Sequence, residues 1–162
     1  MKAVFPALAG ALLFLYKRSM QQYIDAFKSL GDEKRLRIMH LFVRSRQALC
    51  VSELVDALNI PQYQVSRHIQ HFRQAGLLKV RKEGIWSYYY LNEDRAFKKL
   101  FYDFLSKTFS GDPFQKDWKA LGVRLSYREK GRCVIGEVSY NEIEKRIPLQ
   151  KEFTESHSEE SY

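Results

Sequence analysis

At 162 residues, 45% hydrophobic and 14% aromatic, the chain has material for one compact domain with its own core plus extensions. Two cysteines exclude a disulfide framework, and the formal net charge of +8 suits a polyanionic partner without identifying one. There is no phosphate-cradling glycine loop, zinc-finger spacing or nucleophilic serine elbow, so nothing positive points to an enzyme.

Residues 1–19 form an apolar extension in which Val4 to Tyr16 is almost uninterrupted, with Lys2 before it and Lys17 and Arg18 behind. A membrane-spanning helix takes about 20 apolar residues, more than this stretch supplies. Basic residues also stand where a signal peptide would carry its small-residue cleavage site. Two readings stay open: an extra helix packed on a dimer, or a start assigned upstream of Met20. A membrane tether is a third, and no stable membrane association is expected.

From Met20 the pattern becomes regular. Tyr23, Ile24, Phe27 and Leu30 make an apolar stripe, Gly31 stops that helix, and Asp32 is placed to cap a second one carrying Leu36, Ile38, Met39, Leu41 and Phe42. Lys34, Arg35, Arg37, Arg44 and Arg46 read as a solvated face, and His40 as a residue at the core edge. Ser52 is placed to cap a short helix with Leu54, Val55 and Leu58, which Asn59-Ile60-Pro61 breaks because proline supplies no donor.

In the next helix Val65, Ile69 and Phe72 recur at i, i+4 and i+7, the spacing of one buried face. Gln62, Tyr63, Ser66, Arg67, Gln70 and Arg73 then point outward. Amide, hydroxyl and guanidinium groups with little acidic charge can hydrogen-bond base edges and phosphates from within a major groove. His68 and His71 on the same helix read as packing or DNA-contacting residues, not as a metal pair. Gly76 provides a stop, and Leu77 to Lys82 and Ile85 to Leu91 read as two strands around a Glu83-Gly84 turn. A helix-turn-helix followed by a basic hairpin is a winged helix, in which Arg81 and Lys82 reach phosphate or minor groove and Trp86 helps place the wing. Between Pro61 and Leu100 eight basic residues stand against three acidic ones, which concentrates positive charge here.

Ala48-Leu49-Cys50-Val51-Ser52-Glu53-Leu54, Val65-Ser66-Arg67-His68-Ile69, Ala75-Gly76-Leu77-Leu78, and Arg81-Lys82-Glu83-Gly84 leading into Tyr88-Tyr89-Tyr90-Leu91 follow one another in that order. Together they resemble the ArsR/SmtB family of metal-responsive winged-helix repressors, over residues 20–109. The resemblance implies a mainly α fold with a small β-hairpin wing, dimeric through its terminal helices. It also implies a homodimer that binds a palindromic operator in double-stranded DNA and lets go when a small ligand arrives. The helix at Asp94 to Phe109 carries an apolar stripe wide enough to need a cover. A second subunit is the natural cover and the chain's own core is the alternative. The expected interface is Ile24, Phe27, Phe97, Phe101, Phe104 and Leu105.

Metal-sensing members of that family place two cysteines around a valine just before the first helix of the motif. Here Cys50 keeps the first and Ser52 replaces the second. Soft trivalent ions such as arsenite prefer several thiolates, so a site requires Cys50 and Cys133 to meet, within one subunit or across the dimer. The alternative makes Cys50 a half-buried apolar residue and Cys133 a strand residue. The family's second site, built from Asp and His on the last helix, is not expected, because Asp94 and Asp103 have no histidine beside them. No cofactor is required; a thiophilic metal or metalloid would act as inducer.

Residues 110–150 read as a C-terminal extension. It has a short helix at Asp117 to Leu121 around Trp118, then a hairpin. Its first strand is marked by Val123, Leu125 and Tyr127 alternating with Arg124, Ser126 and Arg128; its turn is Glu129-Lys130-Gly131-Arg132, and Cys133-Val134-Ile135 starts the return. Residues 151–162 read as an acidic disordered tail. The expected whole is a cytoplasmic, homodimeric winged-helix transcriptional repressor. Two alternatives remain: the same fold answering a redox or organic signal, and a winged-helix module that docks a partner protein without binding DNA.

Overall fold

The structure, a computed structural model, describes residues 16–17 and 20–147. The apolar stretch up to residue 15 and the acidic tail from residue 151 lie outside the described residues. Residues 20–29 are helical (α1). They are followed by α2 (Glu33–Ser45), α3 (Val51–Leu58), α4 (Gln62–Gln74), β1 (Leu78–Glu83), β2 (Trp86–Leu91), α5 (Ala96–Thr108), α6 (Phe114–Leu125) and α7 (Tyr140–Arg146).

Local chemistry sets these boundaries. The Asp32 carboxylate accepts the Arg35 N–H at 3.0 Å and opens α2. Asn59, left-handed at φ 53°, closes α3, and Pro61 leads into α4. Gly76 then takes φ 69°, which turns the chain into the wing. The start of α3 departs from expectation. Its N-cap is Cys50, whose N–H is accepted by the Glu53 carboxylate at 2.8 Å, so Ser52 lies inside the helix and its side chain is buried.

The wing is an antiparallel pair in register from Leu78↔Leu91 to Glu83↔Trp86, which puts the reversal at Gly84 and Ile85, one residue later than the sequence suggests. A two-stranded hairpin is marginal by itself, and here it is tied down at its base and middle. Tyr102 Oη donates to the Leu77 carbonyl at 2.7 Å and Lys98 Nζ to that of Gly76 at 2.7 Å. Leu49 and Tyr89 exchange both backbone hydrogen bonds at 2.9 Å.

The core collects Ile38, Met39, Leu41 and Phe42 from α2 with Leu54 and Leu58 from α3 and Val65, Ile69 and Phe72 from α4. His40 is fully inside it, against the Phe114 ring at 4.7 Å, and not at its edge. Phe101 and Leu105, expected at a subunit interface, are instead buried in the chain's own core, because α5 turns one flank of its wide stripe onto α2. Phe97 is half-buried against Tyr23. Ile24, Phe27, Leu100 and Phe104 remain exposed along α1 and α5.

The expected C-terminal hairpin does not form. Helix α6 runs straight through Val123 and Leu125, Cys133 to Ile135 is irregular, and α7 follows where no helix was expected. Only the tight turn survives, as an isolated bridge between Glu129 and Arg132. The buried face of α6, which packs on α3 and α2, includes Asp117, Ala120, Leu121 and Arg124, spaced i, i+3, i+4 and i+7. Two of those four are charged, which conceals a helical period from any reading that counts apolar residues.

Candidate nucleic-acid interface and thiol site

The outward face of α4 presents Gln62, Tyr63, Ser66, Arg67, Gln70 and Arg73, all exposed, with Tyr63 72% accessible. Val65, Ile69 and Phe72 fix its orientation from beneath. The hydrogen bonds made by the six outward side chains are short-range, Arg73 to Gln70 at 3.2 Å and Gln64 to Tyr63 at 2.9 Å, while Gln64 at the edge of the face also accepts from Lys34 Nζ at 2.6 Å. His68 and His71 line a groove of about 420 Å³ between α4 and the start of α2, together with Asp32, Lys34, Arg35 and Arg67. Burial lowers the pKa of His68, and Lys34, Arg35 and Arg67 bring positive charge to the groove.

On the wing, Arg81 and Lys82 are exposed and Ile85 caps the tip. Arg81 is held in place by Glu83 at 2.7 Å and lies over the rings of Tyr88 (5.5 Å) and Tyr90 (6.0 Å). Trp86 packs inward, beside Tyr88 and the two cysteines.

Cys50 and Cys133 meet within one subunit. Their sulfurs and one Glu53 carboxylate oxygen lie within 4.8 Å of one another, the only such cluster among the described residues. Both thiols are free and 2% exposed. Cys133 Sγ is 3.9 Å from Ser52 Oγ and 3.3 Å from the Ile135 carbonyl, and its backbone N–H donates to Tyr88 Oη at 2.7 Å. Burial, reinforced by the Glu53 charge and by Cys133, pushes the Cys50 thiol pKa up, so that sulfur is held protonated at neutral pH.

Glu53 is not a free ligand. Its Oε1 accepts Arg128 Nε at 2.7 Å, and its Oε2 accepts Arg128 Nη2 and the Cys50 N–H, both at 2.8 Å. The donor set open to a soft ion is therefore two thiols with a hydroxyl nearby, which fits a thiophilic species that needs two sulfurs and does not offer a third.

Sequence reasoning missed what holds this pocket shut. Arg124, with no exposed surface, pairs with Asp56 at 2.5 Å and donates to the carbonyls of Ile135 (3.1 Å) and Gly136 (2.7 Å). Asp56 also accepts the Val138 N–H at 2.9 Å. Arg37 forms a two-bond fork on buried Asp117, both bonds at 2.8 Å. The available signal was Asp117 and Arg124, seven positions apart and in line with Ala120 and Leu121 on one helical face.

A helix-turn-helix whose second helix offers a polar, basic face, followed by a basic hairpin, defines a winged-helix DNA-binding regulator. A helix-turn-helix domain family matches residues 30–81. An uncharacterized HTH-type transcriptional regulator of Methanocaldococcus jannaschii is 39% identical over 80 residues, 48% of this chain and 89% of that one. The chain belongs to the ArsR/SmtB family of winged-helix transcriptional regulators.

The arsenical resistance operon repressor of Bacillus subtilis is 35% identical over 77 residues, 48% of this chain and 72% of that one. An arsenic resistance transcriptional regulator of Pseudomonas putida, ArsR2, is 47% identical over 70 residues; the match spans 43% of this chain and 60% of that protein's length. Among solved structures, reduced HlyU from Vibrio cholerae shares the fold with a TM-score of 0.51 and 24% identity, over 59% of this chain and 97% of that one.

Proposed function

We propose that this DNA-binding repressor acts in the cytoplasm as a homodimer on a two-fold symmetric operator, and that capture of a thiophilic species by Cys50 and Cys133 releases it. The observation that carries the reading is the meeting of the two thiols in one subunit, at the N-terminus of the first helix of the DNA-binding motif. Gln62, Tyr63, Ser66, Arg67 and Gln70 read the operator, while Arg81 and Lys82 neutralise phosphate. Ile24, Phe27 and Phe104, exposed along α1 and α5, support pairing with a second copy through those helices. Two recognition helices then stand about one helical turn apart, roughly 34 Å.

The inducer class is a trivalent arsenical or a soft metal ion with two open valences for sulfur. A redox reading, in which the two thiols close to a disulfide, uses the same geometry, and the raised Cys50 pKa slows both reactions alike, since the thiolate is the reactive species in each. Counting free thiols before and after arsenite under strictly reducing conditions separates the two. Loss of both thiols, reversed by a competing dithiol, supports capture; thiols that disappear only with an oxidant support the disulfide. A DNA-affinity slope against salt near zero would remove the DNA-binding face, because each phosphate contact contributes about 0.9 to that slope.

A further inference from the structure

Both thiols are tied to adjacent residues of one wing strand. Cys50 follows Leu49, which exchanges two backbone hydrogen bonds with Tyr89. Cys133 is tied to Tyr88, whose hydroxyl accepts its N–H at 2.7 Å. Tyr88 is 2% exposed, stands opposite Arg81 in the hairpin register, and lies under the Arg81 guanidinium. A ligand that draws the sulfurs together therefore pulls on the middle of β2.

The pull can pass into α3 or into the wing, and stiffness decides between them. Helix α3 is clamped to the C-terminal segment by two buried arginine–carboxylate pairs, Glu53 with Arg128 and Asp56 with Arg124. The wing is a two-stranded hairpin with an exposed tip, an element of low intrinsic stability. The softer element moves.

We propose that Tyr88 is the positioning residue that couples the Cys50–Cys133 pair to the wing, so that ligand capture displaces Arg81 and Lys82 from the DNA backbone. The proposal rests on the thiol-sensor reading above. It assigns the C-terminal loop around Cys133 a regulatory task, acting through one tyrosine hydroxyl, in addition to supplying a sulfur.

The test uses full-length protein and hydrated phenylarsine oxide, a trivalent arsenical with two hydroxyl groups. On capture two As–S bonds form and two As–O bonds break; the two thiol protons leave with the hydroxyls as two waters, and no electrons are transferred. Uptake is read without DNA, by loss of free thiols. Release is read by anisotropy of labelled promoter DNA. In Tyr88→Phe, which keeps the ring beneath Arg81, uptake is expected to match the wild type while the effect of probe on DNA affinity falls by about tenfold. Equal release in both proteins overturns the proposal. So does lost uptake in Tyr88→Phe, which would put the hydroxyl in the capture site itself. Hydrogen exchange supplies a check on the wild type alone: wing amides in β1 and β2 are expected to change protection on uptake, and an unchanged wing overturns the coupling. A wild type that captures no probe overturns the sensor reading, and the coupling with it.

Discussion

Helices α3 and α4 meet at one turn yet are furnished in opposite ways. Helix α4 turns Gln62, Ser66 and Arg67 to solvent, where each is free for an outside partner. Helix α3 turns Glu53 and Asp56 into the protein, where each meets an arginine from α6 or the turn after it. The same residue types thus do different work on the two sides. An exposed polar group costs little to remove and matters for binding. A buried ion pair adds little net stability as a pair, but losing one partner strands a charge in a dry interior.

The sharpest way to break that contrast is Asp56→Ala, which leaves Arg124 buried without its counter-ion. Urea denaturation is expected to show a loss of about 3–5 kcal/mol, and much of it should return in Asp56→Leu with Arg124→Met, where both charges are gone. A loss too small to measure would mean that the C-terminal segment does not clamp α3.

Next in size is a pH effect on the same buried side. Burial, helped by the Arg44 charge and opposed by the Phe109 backbone, lowers the His40 pKa from 6.5 to about 4. The unfolded chain then binds the proton first. Stability is complete above pH 6.5 and falls as the pH drops towards 4, by on the order of 3 kcal/mol. Denaturation at stepped pH checks this, and His40→Leu should flatten the acid limb between those values.

On the exposed side, Arg67→Ala should weaken operator binding by about 1–3 kcal/mol, with the melting temperature unchanged. Lys82→Ala should have a smaller effect, equal across DNA sequences, and lower the salt slope by about 0.9. A matching fall in stability for Arg67→Ala would erase the distinction between the two helices. The smallest effect is expected from Glu93→Ala. It removes the exposed pair with Arg46 (2.6 Å, both side chains 40% accessible) and should change unfolding free energy by less than about 1 kcal/mol.

The same contrast explains how much could be read in advance. The helix-turn-helix and wing were legible because their buried positions are apolar and their breaks are chemical: Val65, Ile69 and Phe72 mark one period, and Asn59-Ile60-Pro61, Gly76 and Gly84 mark the turns. The reading face of α4 followed as the complement of its buried face. The C-terminal segment was misread as a strand because Arg124, at a buried helical position, was taken for an outward residue between Val123 and Leu125. Burying it depends on Asp56, 68 positions away, and no local pattern announces such a partner. The thiol pair was legible only as a condition, that Cys50 and Cys133 must meet; the loop that brings them together is pinned through its Ile135 and Gly136 carbonyls by Arg124, which is itself seated by the distant Asp56. Phe101 and Leu105 were assigned to a dimer because amphipathic spacing shows that a face is covered, not by what.

The most direct measurement is release of the promoter complex by arsenite under reducing conditions, in the wild type and in a Cys50→Ser, Cys133→Ser double variant. Release of the wild type is expected, with the variant staying bound at the same arsenite concentrations and with the same starting affinity. Release of both proteins alike, or tight binding of the wild type that ignores arsenite, would contradict a sensor built from these two thiols.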